Sequence, residues 1–230
     1  MKKVISSVIC LFLLVALCAC GNDKTVTEND NEEKEVNIDN LSEENAYEIY
    51  SGVYLIGVSS FSGALPSENP EGEQAENIIC ASVKNTTEKS YQIFDFSLTI
   101  DGVQYSFKAR TLLAGRKMML FDEEKKSMPD FSGAFECVLT DIAAFESEPS
   151  ILSDKVKMSY SDSIINVENI SDEELKNVFV YYKYISGDYL LGGITYRLSA
   201  GEIAPGEIIQ LLARYYKPGS SEVVFVTYES

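Results

Sequence analysis

The chain has 230 residues, of which 19 are Lys or Arg and 36 are Asp or Glu, so its net charge is −17. A field of that sign repels nucleic acid and anionic lipid headgroups, and we therefore expect no nucleic-acid partner. The sequence contains no histidine, which excludes Ser-His-Asp and Cys-His catalysis, histidine-ligated zinc and a histidine pH switch.

The chain begins with two lysines after Met and then an apolar run of sixteen residues, Val4–Ala19. The run is shorter than the roughly 20 residues needed to cross a bilayer. It predicts a cleaved secretory signal over residues 1–19, with an uncleaved anchor as the alternative. The run ends in "LCACG", which resembles the lipobox of bacterial lipoproteins, where a peptidase cuts between a small residue and a lipid-modified cysteine. The resemblance implies that Cys20, which follows Ala19, carries the lipid; Cys18 follows a leucine and does not fit.

Lipidation of Cys20 sets the expected location. One acyl chain binds membranes only marginally, whereas two or more give stable attachment. Because the resemblance implies a diacylglyceryl group, we expect the mature protein to be lipid-anchored at the cell membrane. It would lie on the extracytoplasmic side, with the membrane as its first partner.

Residues 20–46 are predicted to be an acidic disordered linker. Residues 21–46 hold nine acidic residues, two lysines and no aromatic residue. This composition cannot bury enough apolar surface to fold. As a flexible coil the linker would span on the order of 30 Å and lift the folded part off the lipid.

From residue 47 onward, short alternating apolar and polar segments are separated by Gly, Pro, Asn and Asp, as in strands joined by turns. The segment "VKNTTEKSYQIFDFSLTI" (83–100) aligns without a gap with "VENISDEELKNVFVYYKYI" (167–185), 84 residues later. Apolar residues agree at every second position, and Asn85 matches Asn169 at a predicted turn. Further on, "LLAGRKMMLF" parallels "IAPGEIIQLL". The chain therefore contains an internal repeat of β type.

The repeat predicts an all-β fold of two tandem Ig-like antiparallel β-sandwich modules, residues 47–148 and 149–230. The segments "VYYKYISGDYLLGGITYR" and "VVFVTYE" resemble a group of uncharacterised secreted or lipid-anchored proteins of gut-type Firmicutes. The segment "FSLTIDGVQYSFKARTLLAG" resembles the first module of the same group. Both repeats also resemble the Ig-like FxLYD module of extracellular bacterial proteins. The resemblance covers most of residues 52–228 and implies a location and a fold, but no activity.

Two cysteines, Cys80 and Cys137, lie in the predicted modules, 57 residues apart. That spacing is close to the spacing of the inter-sheet disulfide of an Ig domain, and the extracytoplasmic compartment permits a bond. The alternation argues against it: if Ala81 and Val83 face the core, Cys80 points outward, and a bridge needs converging Cβ vectors. The alternatives are a disulfide and two free, mostly buried thiols.

Acidic residues cluster in "SENPEGE" (67–73), "DEE" (122–124) and "SDEE" (171–174). None has the ligand spacing and central glycine of a calcium loop, and in a chain this acidic such clusters are typical of solvated turns. We predict no metal and no cofactor. No pair of carboxylates stands out as a catalytic pair, so we assign no catalytic residue.

The strongest candidate for a binding surface is aromatic. In the strand predicted around residue 180, Val178 and Val180 take the core phase, which leaves Phe179, Tyr181 and Lys183 on the other face. Exposed tyrosines on a sheet can stack on sugars or contact proteins as rigid amphipathic groups. The alternative is that these rings only cover neighbouring strands.

Together these patterns predict a non-enzymatic binding or structural module at the cell envelope. Its partner would be an envelope protein or a glycan. The alternative function is a hydrolase that cleaves envelope glycan or peptide through two carboxylates from distant strands.

Overall fold

The computed structural model describes residues 37–66, 73–130 and 132–229. The predicted signal peptide, Cys20 and most of the predicted linker lie outside these ranges. In the described part, no helix is long and apolar enough to cross a bilayer. Its regular structure consists of fourteen β-strands and one short 3-10 helix, Ile38–Asn40. The prediction of an all-β sandwich fold is therefore confirmed.

The first seven strands form two sheets that enclose one core. One sheet contains β1 (Tyr47–Tyr50), β2 (Val53–Leu65), β3 (Glu73–Asn85) and β6 (Lys117–Phe121) in that order. The other has the order β5-β4-β7, with β4 (Tyr91–Ile100), β5 (Val103–Leu112) and β7 (Glu136–Ala144). Aromatic residues fill the space between the sheets; the rings of Phe96 and Phe107 stack with their centroids 5.2 Å apart, and both are at most 1 % exposed.

The last seven strands repeat this arrangement. One sheet has the order β13-β9-β8, with β8 (Val156–Ser161), β9 (Ile164–Asn169) and β13 (Ile208–Leu212). In the other, the central strand β10 (Leu175–Ser186) pairs with β12 (Tyr196–Ile203) on one side and β14 (Ser221–Glu229) on the other. The short β11 (Tyr189–Leu191) pairs with the end of β10. Residues Val178, Val180 and Tyr182 belong to the second core, as the repeat predicts.

The turn after β3 and the turn after β9 have the same hydrogen bonds, which explains the matched asparagines. Asn85 Nδ2 donates to Lys89 O (2.8 Å) and Leu113 O (3.1 Å). Asn85 Oδ1 accepts from the backbone N (3.0 Å) and Oγ1 (2.8 Å) of Thr87. Asn169 makes the same set of four bonds, with Glu173 O, Ile203 O, and the backbone N and Oγ of Ser171. Both asparagines are fully buried, so each turn depends on one side chain for its polar groups.

The two halves of the chain share a sheet. Strand β11 of the second half pairs in parallel with β6 of the first, through Tyr189–Lys117, Leu190–Met118 and Leu191–Met119. The described residues of both halves belong to one compact unit. The proposed boundary between modules at residues 148 and 149 thus stays a prediction.

The glycine-containing segment "GGITYR" brings the second half against the first. A Cβ atom on Gly193 would lie 2.7 Å from the backbone oxygen of Lys108 in β5, so only glycine allows this approach. Across the same contact, the guanidinium of Arg116 makes two hydrogen bonds of 2.8 Å to the carboxylate of Glu222. Leu190 of the second half belongs to the first core. The halves are joined by packing as well as by hydrogen bonds.

The described end of the predicted linker, residues 37–46, is not a free coil. Ile38 is 4 % exposed and belongs to the first core. Glu43 forms ion pairs with Lys117 and Lys84, whose hydrogen bonds lower the pKa of the Glu43 carboxyl from 4.5 to about 2. The prediction that the linker extends to residue 46 is wrong, because one apolar side chain and one doubly paired carboxylate hold this segment on the first sandwich.

Candidate functional site

The predicted binding face is the outward side of β10, and two of its three residues, Phe179 and Tyr181, lie on that side. Phe179 and Tyr181 lie outside the second core and are partly exposed. In the sheet register, Tyr181 is opposite Arg197 of β12 and Phe225 of β14. Side chains of directly opposite residues lie on the same face of a sheet, about 5 Å apart at Cβ. The face therefore also includes Arg197, whose guanidinium carbon is 4.9 Å from the centre of the Phe179 ring.

Lys183, the third predicted residue of this face, is not available to a ligand. Its side chain is 0 % exposed. The Nζ atom donates to the backbone oxygens of Arg110 (2.9 Å) and Ile194 (2.7 Å) and to Thr195 Oγ1 (3.2 Å). Assigning Lys183 to an exposed face was wrong, because β5 of the first half covers this end of β10.

The Lys183 amine is the most strongly perturbed group at the contact between the halves. Burial, with the charge of Arg110 as a smaller cause, lowers its pKa from 10.5 to about 7. Its three hydrogen-bond acceptors match the three donors of an ammonium group, and they oppose this shift in part. Lys183 therefore connects the two halves.

Where the halves meet beside Tyr181, they form an open groove, called here the junction groove. The rings of Tyr181 and Phe225 stack with centroids 4.1 Å apart and an interplanar angle of 12°. The edge of Phe145 meets Phe225 at 5.5 Å. The groove has a volume of about 510 Å³ and is lined by Gln92, Arg110, Thr111 and Phe145 of the first half and by Tyr181, Thr195, Phe225 and Thr227 of the second.

The junction groove is aromatic and polar but has no net charge. Its one charged lining residue, Arg110, makes a bidentate ion pair with Asp95, with Nη2 3.1 Å from Oδ2. Asp95 is 6 % exposed, whereas 36 % of the Arg110 side chain is exposed. The remaining polar lining consists of hydroxyl and amide groups. Such a groove suits an uncharged ligand that offers hydroxyl groups and an apolar face.

A second groove, called here the edge groove, opens between β12 and β13. In the described part of the chain these are the outermost strands of their sheets, because β12 pairs only with β10 and β13 only with β9. The rings of Tyr182 and Tyr196 stack at 4.9 Å, and Tyr215 contacts Tyr196 at 5.4 Å. The groove has a volume of about 500 Å³ and is lined by Tyr182, Thr195, Tyr196, Arg197, Leu198, Leu212, Arg214 and Tyr215.

Sequence reasoning missed both grooves and their arginines. Arg197 and Arg214 lie in the tyrosine-rich segment 181–216, and in a chain this acidic that composition was an available signal. The junction groove has no comparable signal, because half of its lining comes from β4, β5 and the segment after β7.

Cys80 and Cys137 are free thiols. Cys80 lies on the outward side of β3, between the core residues Ile79 and Ala81, which confirms the expected parity. It is nevertheless buried, and its Sγ lies 3.2 Å from Ser59 Oγ. Burial raises the pKa of both thiols, that of Cys137 to about 12. Of the two alternatives, the structure has the free thiols: Cys80 lies on the outward side of β3, whereas Cys137 packs toward the first core from the opposite sheet.

The acidic turn at residues 122–124 has a structural role. Asp122 is 2 % exposed, and its carboxylate accepts hydrogen bonds from the backbone nitrogens of Ser106 (2.8 Å) and Lys126 (3.0 Å). Among the described residues, no three Cys, Asp or Glu side chains are grouped closely enough to hold a metal ion.

The strongest candidate for a functional site is the pair of grooves beside Tyr181. A comparison of the chain with protein-family models and with curated proteins finds no match.

Proposed function

We propose that this protein is a lipid-anchored, non-enzymatic binding protein that holds a glycan chain of the cell envelope in the junction groove. One observation carries the proposal: the Tyr181 ring, stacked on Phe225, lies in an open groove that combines apolar surface with hydroxyl and amide groups. Sugar rings have an apolar C–H face and a rim of hydroxyl groups. An aromatic ring and fixed hydrogen-bonding groups complement these two features.

Contacts with neighbouring side chains hold the lining of the junction groove in place. Tyr181 is fixed by Phe225, and Phe225 is in turn fixed by Phe145 from the first half. Thr195 is held by hydrogen bonds from Lys183 (3.2 Å) and to Thr111 (3.0 Å). A ligand that binds here meets side chains already in place, so binding loses little conformational entropy.

The proposed location follows from Cys20. A diacylglyceryl group on this residue would hold the protein at the outer surface of the cytoplasmic membrane. Glycan polymers are present on that side of the membrane, so anchor and groove are consistent with one role. The net charge of −17 makes adhesion to anionic lipid headgroups unfavourable and supports orientation of the protein away from them.

Cosedimentation with purified, insoluble cell-wall polysaccharide tests the proposal. The mature chain without Cys20 and its lipid, residues 21–230, is expected to sediment with the polysaccharide, and Tyr181→Ser is expected to reduce the bound fraction about tenfold. Tyr50→Ser is the matched control, since Tyr50 is a 44 % exposed tyrosine that lines neither groove. Equal sedimentation of the Tyr181 variant and the control, with unchanged far-UV circular dichroism, would overturn the proposal.

A further inference from the structure

The two arginines of the edge groove differ from the other two arginines of the chain. Arg110 and Arg116 each form a bidentate ion pair with a carboxylate. Arg197 and Arg214 are exposed, and neither is in an ion pair with a described carboxylate. Both line the edge groove, whose lining includes no Asp or Glu. In a chain with 36 acidic and 19 basic residues, this local excess of positive charge indicates an anionic ligand group.

The edge groove and the junction groove have one lining residue in common. Thr195 lines both. Arg197, in the edge groove, is the direct register partner of Tyr181, in the junction groove. A linear ligand stacked on Tyr181 would reach the arginines after passing Thr195.

We infer that the glycan bound by this protein is acidic: a sugar ring lies on Tyr181 in the junction groove, and the carboxylate of a neighbouring uronate unit is held by Arg197 and Arg214 in the edge groove. This inference rests on the proposed function. The guanidinium group presents paired donors that match the two oxygens of a carboxylate. The neutral junction groove and the positive edge groove are thus two different subsites for one glycan chain.

The overall negative charge of the protein limits this interaction without preventing it. At physiological ionic strength the screening length is about 8 Å, so distant carboxylates act weakly at the groove. The charges that count are those in the lining, and there the two arginines are unopposed. Added salt should weaken the arginine contribution but not the stacking on Tyr181.

Isothermal titration of the mature chain with hexagalacturonate tests the inference. The same oligomer with its carboxyl groups reduced to hydroxymethyl groups is the neutral comparison. We expect hexagalacturonate to bind at least about tenfold more tightly than the reduced oligomer, because only its carboxylates form charge-assisted hydrogen bonds with the two guanidinium groups.

Variants assign the difference to the arginines. Arg197→Gln with Arg214→Gln should remove the preference for hexagalacturonate and leave affinity for the reduced oligomer unchanged. The double variant Lys89→Gln with Lys176→Gln loses the same charge at exposed sites outside both grooves, and it should keep the preference.

The outcomes separate this inference from the proposed function. Equal affinity for the two oligomers, with loss of both on Tyr181→Ser, overturns the acidic-glycan inference and leaves the proposed function standing. Binding of neither oligomer, together with unchanged wall cosedimentation of Tyr181→Ser, overturns both. Equal binding of hexaglutamate and hexagalacturonate also overturns the inference, because the site would then recognise an acidic peptide as well as an acidic sugar chain.

Discussion

Replacing Lys183 with methionine tests whether this buried amine is uncharged in the folded protein. The side chain is fully buried, and burial together with the Arg110 charge lowers its pKa from 10.5 to about 7. Between those two pH values the unfolded state binds a proton that the folded state lacks, so the free energy of unfolding rises with pH. At about 1.36 kcal/mol per pH unit, the full effect amounts to about 5 kcal/mol.

Urea unfolding of the wild type and of Lys183→Met at pH 7, 8 and 9 measures this effect. Buried tyrosines and the two thiols have raised pKa values and act in the opposite direction near pH 9. These groups are present in both proteins, so the difference between their free energies of unfolding reports the contribution of Lys183 alone. We expect the wild type to gain about 2 kcal/mol relative to the variant between pH 7 and 9. Lys176→Met, at an exposed position of β10, should show no such gain. If the free energies of unfolding of the wild type and of Lys183→Met differ by the same amount at pH 7, 8 and 9, the pKa of Lys183 is not lowered in the folded protein.

Three further outcomes are expected. Cys20→Ala should abolish labelling by fatty acid, whereas Cys18→Ala should not; the reverse pattern would disprove the assignment of the lipid. Asn169→Ala should lower the free energy of unfolding by about 2–4 kcal/mol, because the buried turn loses four hydrogen bonds; a loss below about 0.5 kcal/mol in urea unfolding would contradict this account. Thiol titration should find Cys80 and Cys137 reactive in denaturant without a reducing agent and slow to react in the folded protein; two unreactive sulfurs in denaturant would mean that a disulfide forms.

The fold was predictable because the sequence patterns that determine it are local and occur in both halves of the chain. The alternation in β4 and β10 places each core residue, and the repeated asparagines mark two turns with the same hydrogen bonds. The alternation of side chains along β3 alone placed Cys80 on its outward side. Each of these inferences depends on residues within one strand or one turn.

The site was less predictable because it is formed by two halves that meet. Alternation places Lys183 outside the second core, as expected, but does not show that β5 covers it. The same contact leaves Tyr181 in a groove, where its lining partners Gln92 and Thr111 are distant in sequence. The end of the predicted linker was also not predictable from composition. The composition indicates disorder, but Ile38 packs into the first core and holds the neighbouring residues on the folded part.

The proposed glycan site is tested most directly by backbone amide chemical-shift mapping of the mature chain, labelled with ¹⁵N, during titration with hexagalacturonate. We expect the largest shifts at residues 179–181, 195–197 and 225–227, with Arg214 also affected, and we expect Tyr181→Ser to remove them. The amides of the β8–β9 turn, on the opposite sheet, should stay unchanged. Shifts confined to the first sandwich, or no shifts at millimolar oligomer, would contradict the proposed site.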